Sequence, residues 1–527
     1  MEQLVREKTA SRMILDGATL TPEQVYAVAH DPAVSVEPAA AALRRVKASN
    51  ALVKSEVEHK VVYGVTTGFG PMASHIIGRD KLRELQLNLV RSHSVGAGAP
   101  LPEAFVLAAM VGRLNTFLTG YSGVSEAVVR QLATFINHRI VPIIPEHGAV
   151  GTSGDLVQLA HIALALIGEG EVFYRGKRTK AARVLKSLDI KPLVLMPKEG
   201  LSLINGTSMM TGIAALLAVW AERLTGIAIV AGALALELVH GLSDALAETL
   251  HAARPHAGQR DIAARLRELL SQSRLLRHRH ELQARVSVIE DSYVTPEQIQ
   301  EIYSLRCIPQ ILGPVIDIVR KFRNDVTTEL NSATDNPVVD VAGGTFLHGG
   351  NFHGDVIAAS VDQMKIGLIK LTILAERQVN FFLNRNVNQT FPPFLNLNRP
   401  GLTLALQGVH FVATSTTAHS QSLGYPHSLH SISTNGDNQD VVSMGTDAAL
   451  IAYKVVENAF IVLAVELIAL AQAVDVIKAV DRIAPPSRAL YLKVRAVVPP
   501  VVEDRAFSSE VNQLAETLKA DASFDFR

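Results

Sequence analysis

The sequence predicts a mainly α-helical protein built as a bundle of long helices, with a smaller mixed region at the N-terminus. Three observations support this fold class. Ala and Leu are abundant, whereas only 5% of the residues are aromatic. Apolar residues recur at helical spacing over stretches longer than ordinary globular helices, and polar loops rich in Gly, Pro and Asn separate these stretches. The stretches favour long packed bundles and cover residues 208–250, 355–384, 402–423 and 444–474.

The first 200 residues differ from the rest of the chain. They contain shorter elements and Gly-rich turns, and residues 171–177 predict a small hairpin strand followed by a turn. We therefore expect two regions, an N-terminal region of residues 1–200 and a central and C-terminal helical bundle of residues 201–527. Residues 253–300 are charged and weakly patterned, and we expect them to form a mobile excursion.

Composition argues against several classes of protein. Lys plus Arg and Asp plus Glu number 50 each, so the formal net charge of zero argues against nucleic-acid binding. Cys307 is the one cysteine, which excludes an intramolecular disulfide and argues against a cysteine-based metal site. Residues 1–8 lack the apolar core of a secretory signal, and charges within residues 206–250 favour a buried helix over a membrane span. We therefore expect a cytoplasmic protein without a membrane partner.

The segment Gly148–Asp155 admits two interpretations. In the first, Thr152 or Ser153 caps a helix that begins near Asp155, and the tripeptide alone favours this interpretation. In the second, the amide nitrogen of Gly154 attacks the carbonyl carbon of Thr152, because no Cβ hinders its approach. Loss of water, including the Ser153 hydroxyl, would then leave a 4-methylidene-imidazol-5-one ring, an electrophile that no ordinary side chain supplies.

Seven motifs along the chain favour the second interpretation. Together they make the sequence resemble the family of histidine, phenylalanine and tyrosine ammonia-lyases and aminomutases, from about residue 61 to residue 473. Each motif alone is weak, but seven in this order are highly specific. The motifs are Val62–Gly70, Gly151–Leu156, Asn205–Thr207, Tyr303–Gln310, Asp335–Pro337, Gly349–Gly354 and Asn438–Asp440.

The resemblance implies a fumarase/aspartase-like architecture and a homotetramer in which each active site takes loops from three chains. It also implies that Thr152, Ser153 and Gly154 form the methylidene-imidazolone autocatalytically, within the N-terminal region and without a metal. The family usually has Ala at the position of Thr152. Thr is an alternative among relatives that include mutases, so this departure leaves an aminomutase activity open.

Tyr63 resembles the base that removes the β-proton of the substrate, although a Tyr before a Gly-rich turn could also simply pack a loop. A phenol has a reference pKa of about 10, so nearby hydrogen bonds or positive charge must favour its ionised form. The residues that follow resemble a mobile lid. Gly64, Gly68 and Gly70 would give that lid its freedom to move.

Three further residues would surround the cofactor. Asn205 resembles the residue that holds the ring oxygen, where a hydrogen bond stabilises negative charge as the amine adds; a turn or a helix cap is its other interpretation. Gln439 resembles the residue that hydrogen-bonds the cofactor region and the base. Phe352 resembles the aromatic residue that packs against the cofactor, although it could equally be a core residue.

Substrate binding would depend on a second group of residues. Arg306 resembles the residue that clamps the substrate carboxylate, with Asn336 beside it, and a bidentate guanidinium suits a carboxylate well. A surface salt bridge is the ordinary alternative for a lone Arg. Tyr303 resembles a second active-site tyrosine near the leaving amine.

Selectivity in the family is set at the position of Ser92 and His93. A buried phenol without a partner loses about 1–3 kcal/mol, and His93 could supply that partner unless it is a structural histidine. Histidine lyases usually have Glu where this chain has Asp440, and the residues after Asp440 resemble tyrosine lyases. We therefore expect L-tyrosine to give p-coumarate, with phenylalanine to cinnamate as a slower reaction. An aminomutase and a histidine ammonia-lyase remain open.

Overall fold

The computed structural model describes residues 11–283 and 299–524 of the 527-residue chain. Helices dominate this part, which confirms the predicted mainly α-helical class. The helices are α1 (Pro22–His30), α2 (Ala40–Glu56), α3 (Leu82–His93), α4 (Glu103–Leu118), α5 (Glu126–Asn137), α6 (Leu156–Leu166), α7 (Ala181–Ser187), α8 (Glu199–Ile204), α9 (Ser208–Leu238), α10 (Glu248–Ala252), α11 (Ala257–Leu269), α12 (Arg279–Gln283), α13 (Tyr303–Arg306), α14 (Ile308–Leu330), α15 (Asp355–Leu383), α16 (Arg385–Asn388), α17 (Gln407–Ser422), α18 (Gly445–Val476), α19 (Pro485–Val497) and α20 (Ser508–Ala520).

Short strands accompany the helices and form small sheets of two or three strands. β1 pairs in parallel with β2, whereas the other pairings are antiparallel. The strand and turn predicted at residues 171–177 are confirmed, since β6 and β7 form a hairpin there. The strands are β1 (Ser11–Leu15), β2 (Val34–Pro38), β3 (Ala97–Pro100), β4 (Val141–Pro142), β5 (Pro145–His147), β6 (Glu171–Tyr174), β7 (Lys177–Lys180), β8 (Val338–Asp340) and β9 (Thr345–Leu347).

The four predicted helical stretches correspond to α9, α15, α17 and α18. The first is shorter than predicted, because α9 ends at Leu238 instead of near residue 250. His240 has a left-handed backbone (φ 52°), and Gly241 donates its N–H to the carbonyl oxygen of Leu236. This arrangement closes a helix at its C-terminus. A further long helix, α14, was not predicted; it contains Pro314, a residue that interrupts helical patterns.

Two of the long helices, α9 and α18, are apolar and long enough to cross a membrane by length and composition alone. However, 94% and 83% of their most apolar 18-residue windows are buried inside the protein. Burial of this extent is what core helices show, in agreement with the buried helix predicted around residues 206–250.

The expected excursion at residues 253–300 is only partly described. The prediction was wrong for Ala257–Leu269, which forms α11 and buries an apolar face that includes Ile262 and Leu266. A 3.6-residue pattern was present there, but charged residues on the outer face obscured it. Residues 284–298 and residues 1–8, where a signal segment was considered, lie outside the described residues.

The chain forms two compact units, each assembled from separate segments. The first unit comprises the chain up to Val219 together with Phe322–Asp362 and Pro426–Ile451. The second comprises Trp220–Lys321, Gln363–Tyr425 and the chain from Ala452 onward. Most of these boundaries fall inside long helices, so the units are not successive along the sequence. The expected division of the chain into an N-terminal region, residues 1–200, and a helical bundle, residues 201–527, stays a prediction.

Candidate active site

A cavity of about 620 Å³ lies in the first unit, and every residue that lines it belongs to that unit. Six of the residues predicted from the sequence meet there: Tyr63, Thr152, Ser153, Asn336, Phe352 and Gln439. The remaining lining residues are Gly151, His348, Gly349, His353, Asn438, Asp440, Val441 and Val442. Tyr63 and Gln439 are separated by 376 positions in the sequence, so folding brings distant motifs to one place.

The floor of the cavity is a tight turn that carries Thr152 and Ser153. Gly151 and Gly154 pair across it as an isolated β-bridge. Both glycines have positive φ angles, 87° and 82°, and Ser153 has a φ of 48°, an uncommon value for a residue with a side chain. Such strain persists only where the surroundings hold it in place, and it is common at functional sites.

Gly206 holds this turn through two backbone hydrogen bonds. Its N–H donates to the carbonyl oxygen of Ser153 (3.0 Å), and its carbonyl oxygen accepts from the N–H of Asp155 (2.8 Å). The contact is so close that a Cβ on Gly154 would overlap the carbonyl group of Gly206. Glycine at position 154 is therefore a packing requirement.

Asn205 lies next to this contact and is 1% exposed. Its Oδ1 atom is buried and has no hydrogen-bond partner among the described residues. A buried polar atom of this kind usually signals a missing partner. The strained turn, with no space for a Cβ on Gly154, fits a cyclised Thr152-Ser153-Gly154 group. The ring oxygen of that group would need a donor, which the Nδ2 amide of Asn205 could supply, and the unpartnered Oδ1 atom would remain an acceptor.

Helix α6 begins at Leu156, and its N-cap residue is Asp155, whose side chain makes no capping bond to α6. The first interpretation of this segment, in which Thr152 or Ser153 caps the helix, was therefore wrong. The Asp155 carboxylate instead accepts from the N–H groups of Met209 (2.8 Å) and Met210 (3.0 Å) and from the hydroxyl of Thr446 (2.5 Å).

These bonds fix the first turns of α9 and α18 against the Thr152–Gly154 turn. Helix N-termini carry partial positive charge, so a carboxylate is a suitable partner. Burial raises the pKa of Asp155 to about 6, although the hydrogen bonds from Thr446, Met210 and Met209 oppose that rise. The sequence contained Asp155 within a motif but did not show which helices it would contact.

Two buried cations lie behind the turn and were missed in the sequence. Arg113 is 1% exposed and donates to the carbonyl oxygens of Ser202 and Asn205, at 2.5 Å for Asn205. Burial lowers the pKa of Arg113 to about 10, while the carboxylates of Asp335 and Asp155 act in the opposite direction. A lone charge within the otherwise apolar stretch of α4 was the signal that could have indicated this role.

The second cation is Lys198, which is fully buried. Its Nζ lies 3.6 Å from Asp335 Oδ2 and donates to Ser122 and Ser202 at 2.8 and 2.9 Å. Burial lowers the pKa of Lys198, and the Asp335 carboxylate partly offsets this. Asp335 precedes Asn336, so the buried ion pair supports a residue of the cavity wall.

Tyr63 belongs to another part of the cavity lining and is half-buried. Its hydroxyl oxygen accepts from the N–H of Gly70 (2.9 Å), and its ring meets Phe69 edge to face at 6.3 Å. Gly70 has a φ of 53°, and a Cβ there would lie 2.5 Å from Asn435 Nδ2. In this structure the glycine thus permits close packing of the loop; a role of Gly64, Gly68 and Gly70 in lid motion stays a prediction.

Asn336 and Gln439 also line the cavity. Asn336 Oδ1 accepts from the N–H of Gly349 (2.8 Å), which fixes the start of the segment that carries Phe352. Gln439 exchanges backbone hydrogen bonds with Thr434 and so sits in a narrow turn. The cavity wall is therefore held mainly by contacts to the backbone of these two segments.

Tyr303, Arg306 and His93 are not among the described residues that line this cavity. Tyr303 and Arg306 form α13 in the second unit, where the guanidinium lies 4.7 Å over the Tyr303 ring. His93 ends α3, and its Nδ1 lies 3.0 Å from the carbonyl oxygen of Leu89. The roles predicted for these three residues therefore remain predictions.

Comparisons with known proteins identify the family of this chain. Residues 20–496 match the family described as aromatic amino acid lyase, and the chain belongs to that family. Its relatives include both ammonia-lyases and aminomutases. The mainly α-helical, fumarase/aspartase-like architecture expected from the motifs is confirmed.

Three relatives illustrate the range of activities named within this family. The histidine ammonia-lyase of Bacillus velezensis is 38% identical over 96% of both chains. The solved structure of tyrosine aminomutase from Streptomyces globisporus is 39% identical, covers 97% of both chains and has a TM-score of 0.93. The phenylalanine aminomutase of Pantoea agglomerans is 34% identical, with a TM-score of 0.93 over 98% of this chain and all of that one.

Proposed function

We propose that this protein eliminates ammonia from an aromatic L-amino acid, with L-tyrosine as its preferred substrate and p-coumarate as the product. The observation that carries the proposal is the cavity that collects Tyr63, Ser153, Asn336 and Gln439 around one strained turn. Phenylalanine would react more slowly to give cinnamate. Such an enzyme would act in the cytoplasm on a small-molecule substrate.

The cofactor would arise from the chain itself. The nitrogen of Gly154 would form a bond to the carbonyl carbon of Thr152, and two water molecules would leave. One carries the carbonyl oxygen of Thr152 with the amide hydrogens of Ser153 and Gly154, and the other carries the Ser153 hydroxyl with the α-hydrogen of Ser153. The resulting 4-methylidene-imidazol-5-one would supply an electrophilic carbon to the substrate amine. Asn205 would hold its ring oxygen, and Phe352 would pack beside it.

The side chains that line the cavity would then carry out the proton transfer. Tyr63 would remove a β-proton, and the N–H of Gly70, which donates to the Tyr63 hydroxyl oxygen at 2.9 Å, would stabilise negative charge on that oxygen. Gln439 would position the base and the cofactor region. The cavity would hold the reacting atoms in one orientation, which can supply a large part of a rate enhancement.

Substrate binding would involve Arg306 and Tyr303. Arg306 Nε is buried without a hydrogen-bond partner among the described residues, so its guanidinium retains capacity for a carboxylate. We propose a homotetramer in which these two residues complete a site together with Asn336 and the cavity of the first unit. By this proposal Arg306 and the cavity need not belong to one chain.

Two observations favour other members of the family. The curated relative from Bacillus velezensis is a histidine ammonia-lyase, which supports histidine as the substrate. Two solved structures of similar sequence are a tyrosine aminomutase and a phenylalanine aminomutase, which supports transfer of the amine to Cβ. Asp440 lines the cavity and is one methylene shorter than the Glu of histidine lyases, and this supports an aromatic ring other than imidazole.

Product analysis tests these choices. Purified protein is incubated separately with L-tyrosine, L-phenylalanine and L-histidine, and products are separated by chromatography with mass detection. Mainly p-coumarate from tyrosine supports the proposal. Mainly β-tyrosine or β-phenylalanine would establish an aminomutase, and urocanate would establish a histidine ammonia-lyase. No product from any of the three would contradict the proposed function.

A further inference from the structure

The backbone around Tyr63 is held by side chains, and one of them can titrate near neutral pH. Three successive amides donate to three different side-chain acceptors. Val62 N–H donates to Thr66 Oγ1 (2.8 Å), Tyr63 N–H donates to His348 Nε2 (3.2 Å), and Gly64 N–H donates to Thr67 Oγ1 (3.0 Å). The two threonine hydroxyls keep their acceptor lone pairs at every pH of interest, whereas an imidazole loses its acceptor when it is protonated.

The backbone on both sides of His348 is held by hydrogen bonds. It follows β9 directly, and β9 pairs with β8 so that Val339 lies opposite Phe346. On its other side, the N–H of Gly349 is held by Asn336 Oδ1 (2.8 Å). The backbone of His348 is thus held by a hairpin on one side and by the cavity wall on the other, while its side chain is exposed.

The same hairpin is fastened to the Tyr63 segment by apolar packing. Val62 and Val65 flank Tyr63 and share a buried cluster with Val339 and Phe346 of the hairpin. All four are 7% exposed or less. The His348–Tyr63 hydrogen bond therefore crosses an interface that apolar contacts already align, and a single polar contact there can decide how Tyr63 is oriented.

We propose that His348 is a positioning residue for the catalytic base: its neutral imidazole holds the Tyr63 backbone in place, and protonation of His348 releases it. This inference rests on the proposed role of Tyr63. An imidazolium offers only N–H donors, so it would direct a donor against the Tyr63 N–H. The Tyr63 backbone would therefore lose its hydrogen bond to His348 as the pH falls.

The surroundings of His348 determine where this change occurs. Burial and the positive charge of Lys198 lower the pKa of His348 below its ordinary value of 6.5. Asp335 lies 3.6 Å from Lys198 and partly balances that charge. Across the cavity the titratable groups are His353 and Asp440. Because the folded protein disfavours the charged imidazole, the contact is present at pH 7 and is lost as the pH falls below 6.5.

The decisive variant is His348→Gln, since the Gln carbonyl oxygen can replace Nε2 as an acceptor and does not titrate. kcat/KM is measured from pH 5 to pH 8.5 for this variant and the natural protein. We expect the ratio of variant to natural protein to be constant near pH 8 and to rise by up to about tenfold per pH unit below the transition. Ionisation of the substrate affects both proteins equally and cancels in the ratio. A flat ratio would overturn the proposal.

Two matched variants separate positioning from a general effect of substitution. Thr67→Val removes the neighbouring acceptor, so kcat/KM should fall by a similar factor at every pH. His75→Gln removes an imidazole of the same loop whose ring contacts the carbonyl oxygen of Met72. In this variant kcat/KM should still fall at low pH, as it does in the natural protein. If the fall of kcat/KM at low pH disappeared in His75→Gln as well, a specific role of His348 would be contradicted.

Hydrogen exchange tests the contact without turnover. Peptides that contain Tyr63 are followed at pH 5.5 and pH 7.5, with correction for the intrinsic exchange rate. Protection should fall at the lower pH in the natural protein and stay constant in His348→Gln. Equal protection at both pH values in the natural protein would refute the inference even for an active enzyme. A protein that shows the protection change but forms no product would instead refute the proposed function.

Discussion

The turn at Thr152–Gly154 and the segment around Tyr63 face the same cavity but are held in different ways. Buried groups fix the turn: the backbone of Gly206, the carboxylate of Asp155 and the guanidinium of Arg113. Separate side-chain hydrogen bonds hold the Tyr63 segment: those to Thr66 and Thr67 are buried, and the one to His348 is exposed. A group that must form by a demanding cyclisation needs a rigid support, whereas a base that admits substrate and releases product needs contacts that can open.

This difference shows how one site can combine a rigid turn with access for the substrate. Contacts in the buried cradle are close enough that a single methyl group would collide. Contacts around Tyr63 are separate hydrogen bonds, each of which contributes only about 0.5–1.5 kcal/mol. Substitutions in the cradle should therefore affect folding and cofactor formation, and substitutions of the groups that hold Tyr63 should affect rates and pH dependence.

The largest effect is expected for Ser153→Ala. Without the Ser153 hydroxyl the methylidene group cannot form, and turnover should fall by at least about a thousandfold. The near-UV difference spectrum of the ring should vanish, while the thermal midpoint changes little. Thr152→Ala restores the residue that the family usually has, and it should retain both spectrum and activity. A fully active Ser153→Ala variant would overturn the proposed cofactor.

A second test compares two glycines with similar backbone angles. Gly154 has a φ of 82° and no space for a Cβ beside Gly206, whereas Gly176 has a φ of 72° and nothing within 4 Å. We expect Gly154→Ala to lower the free energy of unfolding by about 3 kcal/mol or more, and Gly176→Ala by about 1 kcal/mol. Urea denaturation measures both, and equal losses would show that the cradle is less tightly packed than described.

Asp155 provides a pH-dependent test of the cradle. Burial raises its pKa from 3.8 to about 6, so the folded protein holds a proton that the unfolded chain releases. The stability that this proton contributes is present below about pH 4 and lost as the pH rises through about 6, a change on the order of 3 kcal/mol.

The matched variant is Asp155→Asn, which does not titrate and turns an amide N–H₂ toward at least one donor. It should be less stable than the natural protein throughout, and the deficit should shrink as the pH rises from 5 to 7. Urea midpoints of both proteins across this range give the difference. A deficit that does not depend on pH would mean that Asp155 is ionised in the folded protein over the whole range.

The smallest effect is expected for His93→Phe, outside both regions. If His93 contacts the substrate phenol in the assembled enzyme, the variant should shift the ratio of kcat/KM for tyrosine over phenylalanine toward phenylalanine by about tenfold. Stability should change little because His93 is only partly buried. An unchanged ratio would identify His93 as a structural histidine at the end of α3.

The sequence by itself determined the class of fold and the family, and the chemistry of the turn stays a prediction from its motifs. Helical periodicity indicates long buried helices wherever charges are few, and motifs record side chains that chemistry requires in a fixed local order. For this reason Tyr63, Ser153, Asn336, Phe352 and Gln439 are identifiable from their motifs alone, and the cavity collects them. Local patterns failed where outer charges obscured a helix, as in α11, or where Pro314 interrupted one, as in α14.

Only the tertiary structure decided which distant residues support that site. Asp155 meets Thr446 across 291 positions of sequence, and Tyr63 meets His348 across 285. Neither pair follows a helical or strand period, so no local pattern could reveal it. The structure also leaves His93 outside the lining of the cavity. Long-range contacts arise from packing of whole elements, and the identity of a residue alone does not specify its partner.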